Sequence, residues 1–153
     1  PEALERLQAA RRAIDASGTG VLLTARAECF LTGHPTPLSE SIRRLQAYAQ
    51  AGADCLFAPG TRDKDSIRAI VQSVAPKPVN ILMSANIGLT VADLEAMGVR
   101  RISLGSALAR AAWTGLIRAV GPIAQQGAFT GLDGAATFAE LNALFEQDST
   151  TRS

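Results

Sequence analysis

Four short, largely apolar runs, Val21–Ala25, Ala53–Ala58, Val79–Met83 and Val99–Leu104, alternate along this chain with stretches of helical periodicity. The runs are too short for helices and too apolar for strands that face water on one side, so they read as buried strands. Strands that alternate with helices join through right-handed crossovers, and the product is a parallel sheet covered by its own helices.

The periodic stretches supply those helices. Pro1–Ala16 places Leu4, Leu7, Ala10 and Ile14 on one face. After a loop that His34-Pro35-Thr36-Pro37 should keep irregular, Ser39 caps a helix to about Ala51, with Ile42, Leu45, Tyr48 and Ala49 facing inward and Gly52 as its stop. Asp63 opens a helix through Val74 that turns Ile67, Ile70 and Val71 to the core, and Thr90 caps Val91–Met97. Gly105-Ser106 begins a long helix to about Val120. A last amphipathic helix near Ala135–Phe145 carries Phe138, Leu141, Leu144 and Phe145 on one side. Four strand–helix units make half of an eight-stranded β/α barrel, with a free-standing open sheet as the alternative. The whole of 1–153 is expected as one partial domain.

Composition narrows the function classes. With 153 residues, 47% apolar and 19% charged, the chain can bury one core. Its 15 basic and 14 acidic residues are scattered and sum to +1, and aromatics are 5%. Neither nucleic acid nor an anionic membrane finds a basic face or a stacking platform there. No apolar run approaches the roughly 18–20 residues that span a bilayer, and no signal-peptide pattern opens the chain. Cys29 and Cys55 fall in or beside predicted strands and read as inert, reduced core thiols, a disulfide being the lesser alternative; a cytoplasmic setting follows. His34, the only histidine, reads as exposed and leaves no histidine-based metal site. Phosphate-loop, zinc and Ser-His-Asp patterns are absent.

In α/β folds, ligands bind beyond the carboxyl ends of the strands. Arg26 and Glu28 lie at such an end, either as a structural ion pair or as a site in which Arg26 grips a carboxylate or phosphonate. Pro59-Gly60-Thr61-Arg62 is a β-to-α turn that can also present N–H groups to an anion. Asn80, inside an apolar strand, either bridges neighbouring strands or points into a site. Ser84 and Asn86 follow at the mouth of that strand as hydrogen-bond donors or loop caps, and the Gly105-Ser106 helix start is a weaker anion site.

Leu23-Thr24-Ala25-Arg26-Ala27-Glu28, Ala51–Gly60, Lys77–Leu82 and Met97–Ala111 occur in an order and spacing that resemble the isocitrate lyase / phosphoenolpyruvate mutase family. The resemblance implies the C-terminal half of a (β/α)₈ TIM-type barrel in a homo-oligomer, dimer or tetramer, whose helical tail, 127–147, serves assembly. It implies a Mg²⁺-dependent enzyme that makes or breaks a C–C or P–C bond of a small 2-oxo acid or phosphonate through an enolate-like intermediate. Arg26 would bind the substrate's acidic group, with Glu28, Asn80, Ser84 and Asn86 around it.

Two departures qualify the expectation. The family's metal-binding acids and its catalytic cysteine belong to a first barrel half that precedes this chain, and neither Cys29 nor Cys55 matches that cysteine. The glutamate that the lyases carry near the strand end here written Phe57-Ala58-Pro59-Gly60 is missing, which points away from isocitrate or methylisocitrate lyase. The alternative is a catalytically inactive half-barrel that oligomerises or binds small anions.

Overall fold

The computed structural model describes residues 2–151 and the side chains of residues 2–147; Pro1, placed by its sequence in the first helix, lies outside them. Two compact units divide the chain, Pro1–Ala107 and Leu108–Ser153.

In the first unit the elements run α1 (Glu2–Ser17), β1 (Thr24–Arg26), α2 (Pro37–Gln50), β2 (Cys55–Phe57), α3 (Lys64–Val74), β3 (Val79–Leu82), α4 (Val91–Ala96) and β4 (Arg101–Ser103). The strands are all parallel and lie side by side in chain order. Their register aligns Ala25 with Leu56 and Leu56 with Val79, and separately aligns Arg26, Phe57, Asn80 and Arg101 in one row. Paired residues of a parallel sheet project to the same side, so the two faces differ sharply in chemistry. One carries Ala25, Leu56, Val79 and Ile81 into a core completed by Leu45, Ile67, Ile70 and Leu94 of the helices. The other carries Arg26, Phe57, Asn80, Arg101 and Ser103.

Local signals set most of the helix boundaries. Asp63 accepts the Ser66 N–H at 2.8 Å as the N-cap of α3. Thr90 and Asp93 cap α4 reciprocally, each side chain taking the other's N–H. Ser39 is not the cap of α2. That helix starts at Pro37, whose missing N–H costs nothing in a first turn, and the Ser39 hydroxyl donates back to the Thr36 carbonyl at 3.3 Å.

The strands are shorter than their apolar runs. Val21 and Leu22, expected in β1, are 56% and 74% exposed. Their neighbour β2 begins only at Cys55, and the Leu23 carbonyl already takes the N–H groups of Asp54 and Cys55 at 2.8 and 3.2 Å.

The second unit holds nearly all of α5 (Ala107–Gln126), a 3₁₀ turn (Thr130–Leu132) and α6 (Phe138–Thr151). α5 runs through Pro122, past its expected end at Val120, and stops at Gly127, whose φ is +65° and whose N–H returns to the Ile123 carbonyl at 3.0 Å. Thr137 and Glu140 cap α6 reciprocally. Trp113, Ile117, Phe129, Phe138 and Phe145 are all exposed, Phe138 by 87%. Among the described residues, no helix is long and apolar enough to cross a membrane.

Candidate active site

β1 makes its last ladder bond where the Ala27 N–H donates to the Phe57 carbonyl at 2.9 Å. Beyond it the chain turns, with the Leu31 and Thr32 N–H groups closing on the Glu28 carbonyl. Arg26 therefore leaves the final residue of an edge strand with its side chain on the polar face of the sheet. Its guanidinium stands 5.1 Å from the centre of the Phe57 ring, and its Nη2 meets Glu28 Oε1 at 2.7 Å. Both side chains remain about half exposed, 51% and 43%. The expected ion pair is present. Such a pair contributes little to stability, but together with the ring it fixes the direction of the cation while leaving it open to solvent.

Asn80 is completely buried two strands away. Its amide Nδ2 donates to Ser103 Oγ on β4 at 2.9 Å, which makes it the strand bridge, while its Oδ1 has no partner. Ser103 is not among the residues that the sequence singles out. The signal available was strand alternation, which puts Ser103 on the same face as Arg101 and hence Asn80.

Other candidates have local duties. Asn86 is exposed, and its Oδ1 accepts the Gly88 N–H at 2.9 Å, which shapes the loop after β3; Ser84 stands half-buried in the same loop. The turn after β2 is packed from above. Gly60 has φ +91°, and a Cβ there would lie 2.9 Å from Leu31 and 3.0 Å from Phe30, while the buried Thr61 hydroxyl donates to the Ala58 carbonyl at 2.9 Å. Gly105, at φ +56°, turns the chain out of β4 against Leu82, and α5 opens at Ala107. Cys29 and Cys55 are free and buried. His34 is half-buried, not exposed as read from its loop, because its Nδ1 accepts the Thr36 N–H at 3.2 Å ahead of α2.

At the opposite, amino ends of the strands, Asp54 is well partnered. Its Oδ2 accepts the Leu23 N–H at 2.7 Å and Arg11 Nη1 at 2.8 Å. The Leu23 N–H above all, helped by Arg11, holds this carboxyl below its ordinary range. On α2, Arg43 and then Arg44 draw Glu40 down to about 2. Among the described residues, no three histidine, cysteine or carboxylate side chains gather where a metal ion could be held. Mg²⁺ seeks several oxygen ligands in octahedral array, and Glu28, engaged with Arg26, does not supply them. The residues present do not fit that ion.

The family model of phosphoenolpyruvate phosphomutase matches residues 1–124. The chain belongs to this family. A candidate lyase/mutase from Burkholderia cenocepacia superposes with a TM-score of 0.84 at 41% identity, over 94% of this chain and 51% of that one. The 2,3-dimethylmalate lyase, a member of the phosphoenolpyruvate mutase/isocitrate lyase superfamily, does so with a TM-score of 0.77 at 25% identity, over 98% and 52%. An uncharacterized Mycobacterium tuberculosis protein is 36% identical over 86 residues, which is 56% of this chain and 32% of that protein. The chain thus spans about half the length of the two structures and about a third of the curated relative. Its four parallel strands with their helices match half of a TIM-type barrel, which decides against the free-standing open sheet.

Proposed function

We propose that the carboxyl ends of β1–β4 form the substrate-gripping part of a lyase or phosphonomutase site. In this reading Arg26 takes the carboxylate or phosphonate of a small 2-oxo acid. The observation that carries it is the Arg26 guanidinium, laid over Phe57, steadied by Glu28 and half open to solvent at the strand end where such barrels work. The family supports the reaction class, and a neighbour named for its action on 2,3-dimethylmalate supports a small carboxylate substrate.

Arg26 presents a forked donor to the acid and sets the substrate's orientation, while its positive charge favours the enolate-like species formed next to the acid group. Glu28 positions Arg26. Asn80 lies on the same face, and Ser84 and Asn86 at the mouth of β3 add hydrogen bonds to the far end of the substrate. A Mg²⁺ ion of the family's kind would need several oxygen ligands, which Glu28, engaged with Arg26, does not supply. Exposed Phe138, Leu141, Leu144 and Phe145 support assembly of the 127–147 tail into a homo-oligomer, and the two free buried thiols support a cytoplasmic setting.

Calorimetric titration with oxalate and pyruvate tests this. Arg26→Ala should weaken binding by about 1.5–3 kcal/mol, and Arg26→Lys should recover only part of the loss because an ammonium lacks the planar fork. Equal affinities in all three proteins would remove Arg26 from the site.

A further inference from the structure

We propose that the free edges of β1 and β4 pair with each other between two copies of this chain, closing their eight parallel strands into one barrel. Among the described residues, β1 pairs only with β2 and β4 only with β3. The Leu23 carbonyl and the Ala27 N–H bond to β2, so alternation turns the N–H and C=O groups of Thr24 and Arg26 outward. The Ser103 carbonyl accepts the Met83 N–H at the end of β3, which turns those of Ile102 outward. Unpaired edges of this kind invite another strand.

The two edges fit in register. With Ile102 of one copy set between Thr24 and Arg26 of the other, its N–H donates to the Thr24 carbonyl and its own carbonyl accepts the Arg26 N–H. Sidedness agrees as well. Ile102 then lies opposite Ala25, and both project toward the helices, while Ser103 lies opposite Arg26 on the polar face. Beside Ala25, under α1, a slot of about 350 Å³ is lined by Ala3, Leu7 and Tyr48, and the half-buried Ile102 side chain matches its apolar floor. Val21 and Leu22 stay exposed at the amino end of the same edge, where a neighbouring strand would cover them. Four strands fill half of an eight-stranded ring, and this chain covers 51% and 52% of the two neighbouring structures. A second copy therefore closes the sheet with no edge left over.

The test uses the 153-residue chain with one cysteine on each edge, Thr24→Cys combined with Arg101→Cys. In the proposed register these face each other across the joint, where neighbouring strands run about 4.8 Å apart and a disulfide can close. Within one copy they stand at opposite edges of four strands, roughly 14 Å apart and beyond disulfide reach. Mild oxidation should convert the double variant into covalent pairs of chains on non-reducing gels, and each single variant should stay unlinked. Ile102→Pro removes an N–H that β3 does not use. It should weaken self-association in sedimentation by about tenfold at each of the two joints, about a hundredfold in all. If that variant does not fold, the cysteine pair carries the test. Arg26→Ala should leave the cross-link intact, so this reading and that of the acid site fail separately. A chain that sediments as a monomer, or a double variant that stays unlinked, overturns the pairing. So does a cross-link lost in Phe138→Ser, which assigns association to the tail.

Discussion

The two ends of the sheet spend their polar groups differently. At the amino ends, Asp54 locks a backbone N–H and an arginine into one cluster, and α1 is tied to the sheet through it. At the carboxyl ends, Arg26 and Glu28 stand half exposed and Asn80 keeps an unmet acceptor. Polar groups that answer one another hold a fold together. Charged groups left half open to solvent are available to a ligand. In β/α barrels this division of labour runs along the strand axis, stability at one end and chemistry at the other.

The largest effect that would break the comparison belongs to the amino ends. Asp54→Ala should cost about 2 kcal/mol in urea unfolding, because the Leu23 N–H and Arg11 lose their acceptor, and should leave oxalate affinity unchanged. A large loss of affinity with little loss of stability would reverse the assignment of the two ends.

Acid titration sharpens the same point. The Asp54 carboxyl sits below its ordinary 3.8 when folded, so unfolding takes up a proton at low pH. Its contribution to stability is complete above about 4 and is lost as pH falls through the folded value. Glu40 behaves alike between its ordinary 4.5 and about 2. Asp54→Asn should therefore flatten the acid limb of a plot of stability against pH.

Smaller effects probe the carboxyl ends. Asp63→Ala removes the cap of α3 and should cost about 1 kcal/mol of stability without touching oxalate affinity. Glu28→Gln should change stability by less than about 0.5 kcal/mol, the scale of an exposed pair. Its mark should appear in oxalate affinity, as Arg26 loses its tether.

Much of this architecture was legible from the sequence, because alternation of apolar runs with helical periodicity leaves few other topologies. The Asp63 and Thr90 caps were legible too, since capping is local chemistry. Strand limits were not. Val21 and Leu22 look like strand, but pairing depends on where β2 starts, and no local signal records that. The site was half legible. Arg26 announces itself by ending an apolar run, whereas Phe57 beneath it and Ser103 beside Asn80 emerge only from the register between strands. Asn80 left two readings open, and the structure shows the bridge together with an oxygen the bridge does not use.

The division between the two ends is tested most directly by mapping backbone amide chemical shifts of the ¹⁵N-labelled chain during an oxalate titration. The account predicts saturable shifts at Arg26–Glu28, Asn80, Ser84 and Ser103, and none at Arg11, Leu23 or Asp54. Shifts centred on Arg11, Leu23 and Asp54, with the carboxyl ends silent, would contradict it.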